Sequence, residues 1–246
     1  MKKKEMAISV KNLDIYYKDI KRFSLAKSGL NNLLTASNFH AVKNVSFEIP
    51  KGQIVGICGK NGSGKSTLLR AIAGIFSADK GTIDLHGNTI SLLSIGVGFQ
   101  RKLSGYENIF LSGLLLGYSE EQIKEKIDEI IEFSELGEFI YKPVSSYSSG
   151  MYSKLAFSIT AILETDIMLI DEVLSVGDVH FQQKSYNKMK ELISDENRTV
   201  LIVSHSSNTL KNLCDRVIWL NEGVLKGDGP SEEIVNDYLE YMKTLD

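Results

Sequence analysis

The stretch QIVGICGKNGSGKSTLLRAIAG, residues 53–74, decides the fold. QIVGIC is a continuous apolar run, which is typical of a strand covered on both faces of a parallel sheet. STLLRAIAG has the spacing of a helix that ends at Gly74. Between them, GKNGSGKS fits the pattern G-x-x-x-x-G-K-[ST], in which backbone N–H groups surround phosphate oxygens. The stretch therefore predicts a strand, a phosphate-binding loop and a helix.

Within this loop, side chains and backbone have separate expected roles. Lys65 is expected to contact the β- and γ-phosphates, and the Ser66 hydroxyl to ligate Mg²⁺. The residues expected to contact the nucleotide are Gly59, Lys60, Asn61, Gly62, Ser63, Gly64, Lys65, Ser66 and Thr67. Glycines let the backbone approach the phosphates closely, and the following helix adds the positive end of its dipole.

A second acidic site follows the apolar strand IMLID, residues 167–171. Asp171 is expected to hold Mg²⁺ through water, and Glu172 to polarise the attacking water. His205 follows another apolar run, TVLIVS, and could contact the γ-phosphate from the same sheet edge. Taken alone, the acids could equally be solvated at a strand end and the histidine could be structural.

Composition excludes several classes of protein. The chain has 246 residues with 43% hydrophobic and 24% charged, the balance of an ordinary globular protein. Its net charge of −3 argues against a nucleic-acid partner, which needs a basic surface. Cys58 and Cys214 give no disulfide framework or metal-ligand spacing. We expect no signal peptide, since no apolar run follows the basic start, and no run approaches the roughly 20 residues that cross a bilayer.

The order of patterns along the chain predicts an α/β core that carries a helical insert. Helical spacing dominates from about residue 105 to residue 164, and apolar strand runs precede and follow it. The last segment, SEEIVNDYLEYMKTL, is an amphipathic helix for which Ser231 is the expected cap.

Together these residues resemble the ATP-binding subunit of an ABC transporter over essentially the whole chain. The resemblance implies an α/β P-loop NTPase (RecA-like) core with an antiparallel β subdomain and an inserted helical subdomain. We expect a single ABC ATPase domain over residues 1–246. Residues 1–99 and 166–246 would form the core with the β subdomain, and residues 100–165 the helical subdomain.

Further family motifs are recognisable at matching places. GFQ ends in Gln100, where the family has the Q-loop glutamine that touches Mg²⁺ and relays the γ-phosphate state to the membrane subunits. SVGD ends in Asp178 at the D-loop, and His205 takes the place of the switch histidine. Tyr17, or alternatively Tyr16, is where the family stacks an aromatic ring on adenine.

YSSGM, residues 147–151, occupies the place of the LSGGQ signature. It departs from that form at Tyr147, Ser149 and Met151, whereas Ser148 and Gly150 are retained. We expect Ser148, Ser149 and Gly150 to bind nucleotide at the start of a helix. A serine-capped helix without this role would have the same local sequence.

The resemblance also implies partners and a location. In the family, each ATP lies between the phosphate loop of one subunit and the signature of the other, so the chain is expected to form a head-to-tail homodimer or to pair with a second such subunit. ATP and Mg²⁺ are the expected substrate and cofactor, with two integral membrane permease subunits as partners. The place of action would be the cytoplasmic face of the cell membrane, reached through the permease.

Three features resemble the subfamily that exports polysaccharides and teichoic acids on lipid carriers. They are the insert over residues 18–40, the YSSGM form and the DEVLSVGD run. The basic insert could lie near anionic lipid or be an ordinary solvated loop. Residues 109–116 could help to receive the permease or simply fill the subdomain core. The sequence ends shortly after its last helix, so we expect the permease to select the substrate.

Two other functions remain open on the sequence. One is an ABC transporter ATPase for another cargo, such as a lipid or drug, which the signature form disfavours. The other is a soluble ABC protein of DNA repair or translation. Those relatives usually carry two ATPase domains or a long coiled-coil insert, and neither pattern occurs here.

Overall fold

The structure is a computed structural model that describes residues 5–18, 38–93, 98–171, 177–195 and 197–245. The strands of this part of the chain are β1 (Met6–Lys18), β2 (Asn38–Pro50), β3 (Ile54–Cys58), β4 (Lys80–Asp84), β5 (Ile90–Leu93), β6 (Ile167–Asp171), β7 (Thr199–Val203), β8 (Arg216–Asn221) and β9 (Val224–Pro230). The α-helices are α1 (Lys65–Ile72), α2 (Gly105–Leu115), α3 (Glu120–Ser134), α4 (Ser149–Ile162), α5 (Val179–Ile193), α6 (Ser207–Leu213) and α7 (Ser231–Lys243). Two 3₁₀ helices lie between α3 and α4, at Gly137–Tyr141 and Val144–Ser146.

The larger sheet positions the site. Its strand order is β5-β6-β7-β3-β8-β9, parallel except for the antiparallel pair of β8 and β9. Val203 of β7 is in register with Ile57 of β3 on one side and with Asp171 of β6 on the other. The segments that leave β3, β6 and β7 therefore start at the same edge of the sheet, as expected for the carboxyl ends of neighbouring parallel strands.

The smaller sheet is antiparallel, with the order β2-β1-β4. In β1 residues 7–10 are all buried, whereas beyond Asn12 the buried residues alternate, at Leu13 and Ile15. The change coincides with a bulge at Asn12, whose φ of 49° asparagine tolerates better than most residues. The buried face packs on α1 and the larger sheet in one apolar cluster, so the end of β1 reaches the start of α1.

Between residues 98 and 165 the described chain is helical apart from its connections. Ile123, Ile127 and Ile130 form the buried stripe of α3 and pack with α2 and α4 in a separate apolar cluster. Ile109 is fully buried in the same cluster, whereas Leu114 and Leu115 at the end of α2 are exposed. None of the helices in the described part of the chain is long and apolar enough to cross a membrane.

The antiparallel sheet, the parallel sheet and the intervening helices confirm the predicted fold class. The predicted cap of the last helix was wrong, because α7 begins at Ser231 itself and Pro230 occupies the cap position without a side-chain hydrogen bond. Pro230 ends β9, and its fixed φ lets the chain pass from the strand directly into the helix.

Candidate functional site

The loop between β3 and α1 is wrapped so closely that glycine is required at two positions. Gly59 has φ of 144°, and a Cβ there would lie 2.1 Å from the carbonyl oxygen of Leu220. Gly64 has φ of 98°, and its Cβ would lie 2.4 Å from the carbonyl oxygen of Ala41. Any side chain at either position would strain the backbone and clash with backbone atoms that cannot yield. The spacing of the motif is thus explained by local geometry.

The start of α1 suits an anion. Gly64 is its N-cap residue and offers no side chain to the first-turn N–H groups, and no acidic residue lies in that turn. By contrast, Ser104, Ser119 and Ser148 cap α2, α3 and α4 with side-chain hydrogen bonds. Because uncapped N–H groups and the helix dipole both favour negative charge, this terminus fits a phosphate group. The buried Ser63 Oγ in the same loop also has no hydrogen-bond partner among the described residues.

Lys65 lies folded onto the loop that precedes it. Its Nζ donates to the carbonyl oxygens of Gly59 at 2.8 Å and Lys60 at 2.9 Å. The side chain is only 6% exposed, so the ammonium group stays close to the loop backbone. A phosphate in the loop would offer charged acceptors to the same amine, which form stronger hydrogen bonds than neutral carbonyls.

Ser66 and Asp171 come together from different elements. The hydroxyl of Ser66, the second residue of α1, donates to Asp171 Oδ1 at 3.3 Å. Asp171 ends β6, and the register of β6 with β7 brings it to the edge from which the phosphate loop also departs. A hydroxyl and a carboxylate oxygen at this distance are the donor set that Mg²⁺ prefers, together with water and phosphate oxygens. The residues present therefore fit a magnesium ion.

A cavity of about 200 Å³ opens over this loop. Its lining includes Asn61, Gly62, Gly64, Lys65, Ser66, Thr67 and His205. His205 is exposed and follows β7, which ends at Val203 beside β3. The structure thus brings the predicted histidine to the predicted phosphate loop.

A larger cavity of about 570 Å³ lies elsewhere, between α5, α6 and the ends of β6 and β7. Apolar side chains such as Ile170, Met189, Ile202 and Leu213 contribute much of its lining. It lacks the glycine loop and the uncapped helix terminus that suit phosphate. We therefore assign the nucleotide to the smaller cavity.

The two candidate tyrosines differ in their surroundings. The Tyr17 hydroxyl lies 3.1 Å from Thr67 Oγ1 in the first turn of α1, and its side chain is 40% exposed. The Tyr16 ring instead stacks on His40 at a centroid distance of 4.0 Å, and His40 forms a hydrogen bond with Asp14. Tyr17 therefore has an accessible ring beside the phosphate loop, whereas one face of Tyr16 is already covered.

The signature segment and the described end of the D-loop, Gly177 and Asp178, form a second group, apart from the phosphate loop. Ser148 caps α4 by accepting from Met151 N at 3.2 Å, and Ser149 and Gly150 begin that helix. A Cβ on Gly150 would lie 3.9 Å from the Cα of Gly177, so the two segments are in contact. Asp178 caps α5 by accepting from Phe181 N at 3.0 Å. None of these predicted binding residues lines the phosphate-loop cavity as the structure describes it.

Asp178 also has a strongly shifted pKa. The hydrogen bond from Lys154, supported by the Phe181 N–H, lowers the pKa of its carboxyl from 3.8 to about 2. The Lys154 Nζ lies 2.8 Å from Asp178 Oδ2. Asp178 is therefore a carboxylate at all physiological pH values.

Gln100 does not line the phosphate-loop cavity as the structure describes it, and its side chain is exposed. Its backbone is held by the fully buried Asn108, whose Oδ1 accepts from Gln100 N at 2.7 Å and whose Nδ2 donates to Gln100 O at 3.1 Å. Glu172 and most of the insert over residues 18–40 lie outside the described residues. Their predicted roles stay predictions.

Sequence reasoning missed three residues near these groups. Phe39 is 59% exposed, pairs with Tyr17 across β1 and β2 and lines the phosphate-loop cavity. Asn108 fixes the turn that carries Gln100, and Lys154 contacts Asp178. The alternation of β2 could have indicated Phe39. The contacts of Asn108 and Lys154 depend on how distant segments pack, which no local pattern records.

Comparison with known proteins gives consistent results. Residues 42–175 match the family described as ABC transporter. The teichoic acids export ATP-binding protein TagH of Lactococcus lactis subsp. lactis is 46% identical over 233 residues, which cover 91% of this chain and 50% of that protein. The O-antigen export system ATP-binding protein RfbB of Klebsiella pneumoniae is 42% identical over 210 residues, covering 85% of each chain. The chain spans half or less of the length of the first curated relatives that it matches, at 50%, 37% and 47%.

Among solved structures, a dimeric, post-hydrolysis state of the ATP-binding cassette MJ0796 bound to ADP and Pi matches with a TM-score of 0.69. The match covers 91% of this chain and 98% of that chain at 21% identity, which establishes a shared fold. The family match extends over residues 42–175 of the 246, and RfbB is similar over most of its length. The chain therefore belongs to the ABC transporter family.

Proposed function

We propose that this chain is the ATP-hydrolysing nucleotide-binding subunit of an ABC exporter that moves a lipid-linked cell-surface polymer across the cytoplasmic membrane. The polymer would be a teichoic acid or a related polysaccharide. The observation that carries the proposal is the combination of an intact phosphate loop with 46% identity to a teichoic acid export protein and 42% identity to an O-antigen export protein.

In this proposal the loop from Gly59 to Thr67 binds the triphosphate of ATP. Backbone N–H groups and the uncapped start of α1 face the phosphates, and the Lys65 amine exchanges its carbonyl acceptors for phosphate oxygens. Tyr17 stacks on adenine, because its ring is accessible beside Thr67.

Ser66 and Asp171 would hold Mg²⁺, with Gln100 completing the set when nucleotide is bound. The ion supplies charge neutralisation on the phosphates. Glu172 orients and deprotonates the attacking water as general base, and His205 contacts the γ-phosphate from the end of β7. Catalysis is mainly positioning together with stabilisation of the charge on the γ-phosphoryl group.

A second copy of the chain completes each site. Ser148, Ser149, Gly150 and Asp178 lie apart from the phosphate-loop cavity within one subunit, so they are available to a nucleotide held by another. A head-to-tail dimer would then enclose two ATP molecules. Its closing and reopening would drive two permease subunits, which would hold the chain at the cytoplasmic face of the membrane.

The test is depletion of the chain in its own cells, followed by complementation. We expect the wild-type chain to restore the surface polymer, whereas Glu172→Gln should leave the lipid-linked polymer inside the cell. Lys51→Met is the matched control, because Lys51 pairs with Glu5 on the surface and should restore export fully. If depletion leaves the surface polymer unchanged while another solute stops moving, the assigned cargo is wrong.

A further inference from the structure

Four charged side chains and one histidine converge between the helical region and α5, and they are called here the charge cluster: Glu135, Lys154, Asp178, Lys184 and His180. Lys154 Nζ lies 3.2 Å from Glu135 Oε2 and 2.8 Å from Asp178 Oδ2. Lys184 Nζ lies 3.0 Å from the other carboxylate oxygen of Glu135. Within the charge cluster, Lys154 is therefore the group that joins the two carboxylates.

The position of Lys154 links two functional segments. It lies on α4, the helix that begins with the signature residues, and Asp178 caps α5 directly after Gly177. The lysine stem lies against Gly177, where an added Cβ would be 2.8 Å from Lys154 Cε. Its amine also lies 4.9 Å from the centre of the Phe181 ring in α5. Lys154 thus contacts the Gly177–Asp178 end of the D-loop through its charge and through its apolar stem.

Several features indicate that the Lys154–Asp178 contact holds the Gly177–Asp178 turn in place. The Lys154 side chain is only 14% exposed, so it has little freedom, whereas that of Asp178 is 62% exposed. Ion pairs with such an exposed partner add little to the stability of a fold. Their geometric effect persists, because the pair fixes where the Gly177–Asp178 turn lies relative to α4. Glu135 contacts the same amine at 3.2 Å.

We propose that Lys154 is a positioning residue that fastens the Gly177–Asp178 turn to the signature helix. The signature and the Gly177–Asp178 turn then present one rigid surface to the ATP held by a second copy of the chain. This inference rests on the proposed dimeric ATPase, and it assigns to one lysine the task of keeping two parts of the composite site in register. Lys154 acts through Asp178 and need not touch the nucleotide itself.

The test compares Lys154→Met, Lys154→Arg, Asp178→Asn and the double variant Lys154→Met/Asp178→Asn with the wild-type chain. Asn is as good a helix cap as Asp, so Asp178→Asn removes the charge partner of Lys154 while it keeps the start of α5. Lys184→Met is the matched control, because Lys184 contacts Glu135 in the charge cluster but not Asp178. Each protein is assayed for Mg·ATP hydrolysis, ATP-induced dimerisation and binding of a fluorescent ATP analogue at concentrations where it is monomeric.

We expect Lys154→Met to lower kcat/KM for ATP about tenfold and to weaken ATP-induced dimerisation, with monomer binding changed less than about twofold. Lys154→Arg should stay within about threefold of wild type, because arginine keeps a cation beside Asp178. Lys184→Met should also stay within about threefold, because Lys184 does not contact Asp178. Asp178→Asn should lose at least as much activity as Lys154→Met, because Asp178 also faces the nucleotide of the second copy. The double variant should be no worse than Asp178→Asn, because Lys154 acts through Asp178.

The inference is overturned if Lys154→Met hydrolyses ATP like wild type, if Lys184→Met is equally impaired, or if the double variant shows the product of the two single losses. If Lys154→Met does not fold, Lys154→Gln takes its place, and wild-type activity in that variant overturns the inference. A wild-type chain that neither hydrolyses ATP nor dimerises with it would instead refute the proposed function.

Discussion

Replacing Lys65 by methionine should lower the affinity of the chain for Mg·ATP roughly 100-fold. The side chain already makes two hydrogen bonds, at 2.8 Å to the carbonyl of Gly59 and at 2.9 Å to that of Lys60. Binding of ATP therefore exchanges acceptors for an amine that is already placed and only 6% exposed.

The magnitude follows from this exchange. The two hydrogen bonds to the carbonyls already have a charged donor, so the gain on binding is the added attraction between the Lys65 amine and the negative phosphate oxygens. Two unit charges about 4 Å apart attract by about 4 kcal/mol at an effective dielectric constant of about 20, and giving up the carbonyl contacts offsets about 1 kcal/mol of this, which leaves about 3 kcal/mol. Methionine has a similar length but cannot gain this energy. The loss of the carbonyl contacts should lower the free energy of unfolding by only about 1 kcal/mol.

Isothermal titration calorimetry with Mg·ATP measures the affinity, and thermal unfolding without nucleotide measures the stability. Lys51→Met is the control for loss of one positive charge, because Lys51 pairs with Glu5 before β3, at the opposite end of that strand from the phosphate loop. It should bind ATP like wild type. A Kd for Lys65→Met within about threefold of wild type would refute the reasoning that this amine binds phosphate.

Three further predictions concern other residues. Glu172→Gln should bind ATP and dimerise, yet hydrolyse it at least about 100-fold more slowly, as phosphate release will measure; wild-type turnover would remove Glu172 as the base. Tyr17→Ala should weaken ATP binding about fivefold, since it loses one stacking contact, whereas Tyr16→Ala should not. Equal effects of the two in calorimetry would contradict the assignment of Tyr17. Burial raises the pKa of the Cys58 and Cys214 thiols to about 12 each, so neither is a thiolate at pH 8. Both should resist iodoacetamide in the folded chain and react in urea, and rapid labelling of the native protein, detected by mass spectrometry, would disprove this.

The core of the fold could be predicted from sequence because its patterns are local. The apolar runs of β3, β6 and β7 indicate buried parallel strands. Gly59 and Gly64 of the phosphate loop are required because a Cβ at these positions would lie 2.1 Å and 2.4 Å from backbone carbonyl oxygens. The edge strand β9 gave no such pattern. Its sequence, VLKGDGP, contains two glycines and a proline, and only pairing with β8 makes it a strand.

The candidate site could be predicted where its residues end or follow strands of the parallel sheet. Asp171 and His205 end or follow strands, so the topology of a parallel sheet brings them to the phosphate loop. Asn108 and Lys154 contact residues that are distant along the chain, and their roles appear only after α2, α4 and α5 have packed. The subdomain boundaries and the role of Glu172 stay predictions, the latter because Glu172 lies outside the described residues.

The central claim is that this chain powers a membrane exporter, and co-purification tests it most directly. The tagged Glu172→Gln chain, which should hold ATP, is purified from detergent-solubilised membranes, and its partners are identified and quantified by mass spectrometry. The account predicts a multi-pass membrane protein in a one-to-one ratio with the chain. Recovery of soluble partners alone, such as ribosomes or DNA-repair proteins, would contradict the exporter assignment and leave only the ATPase site.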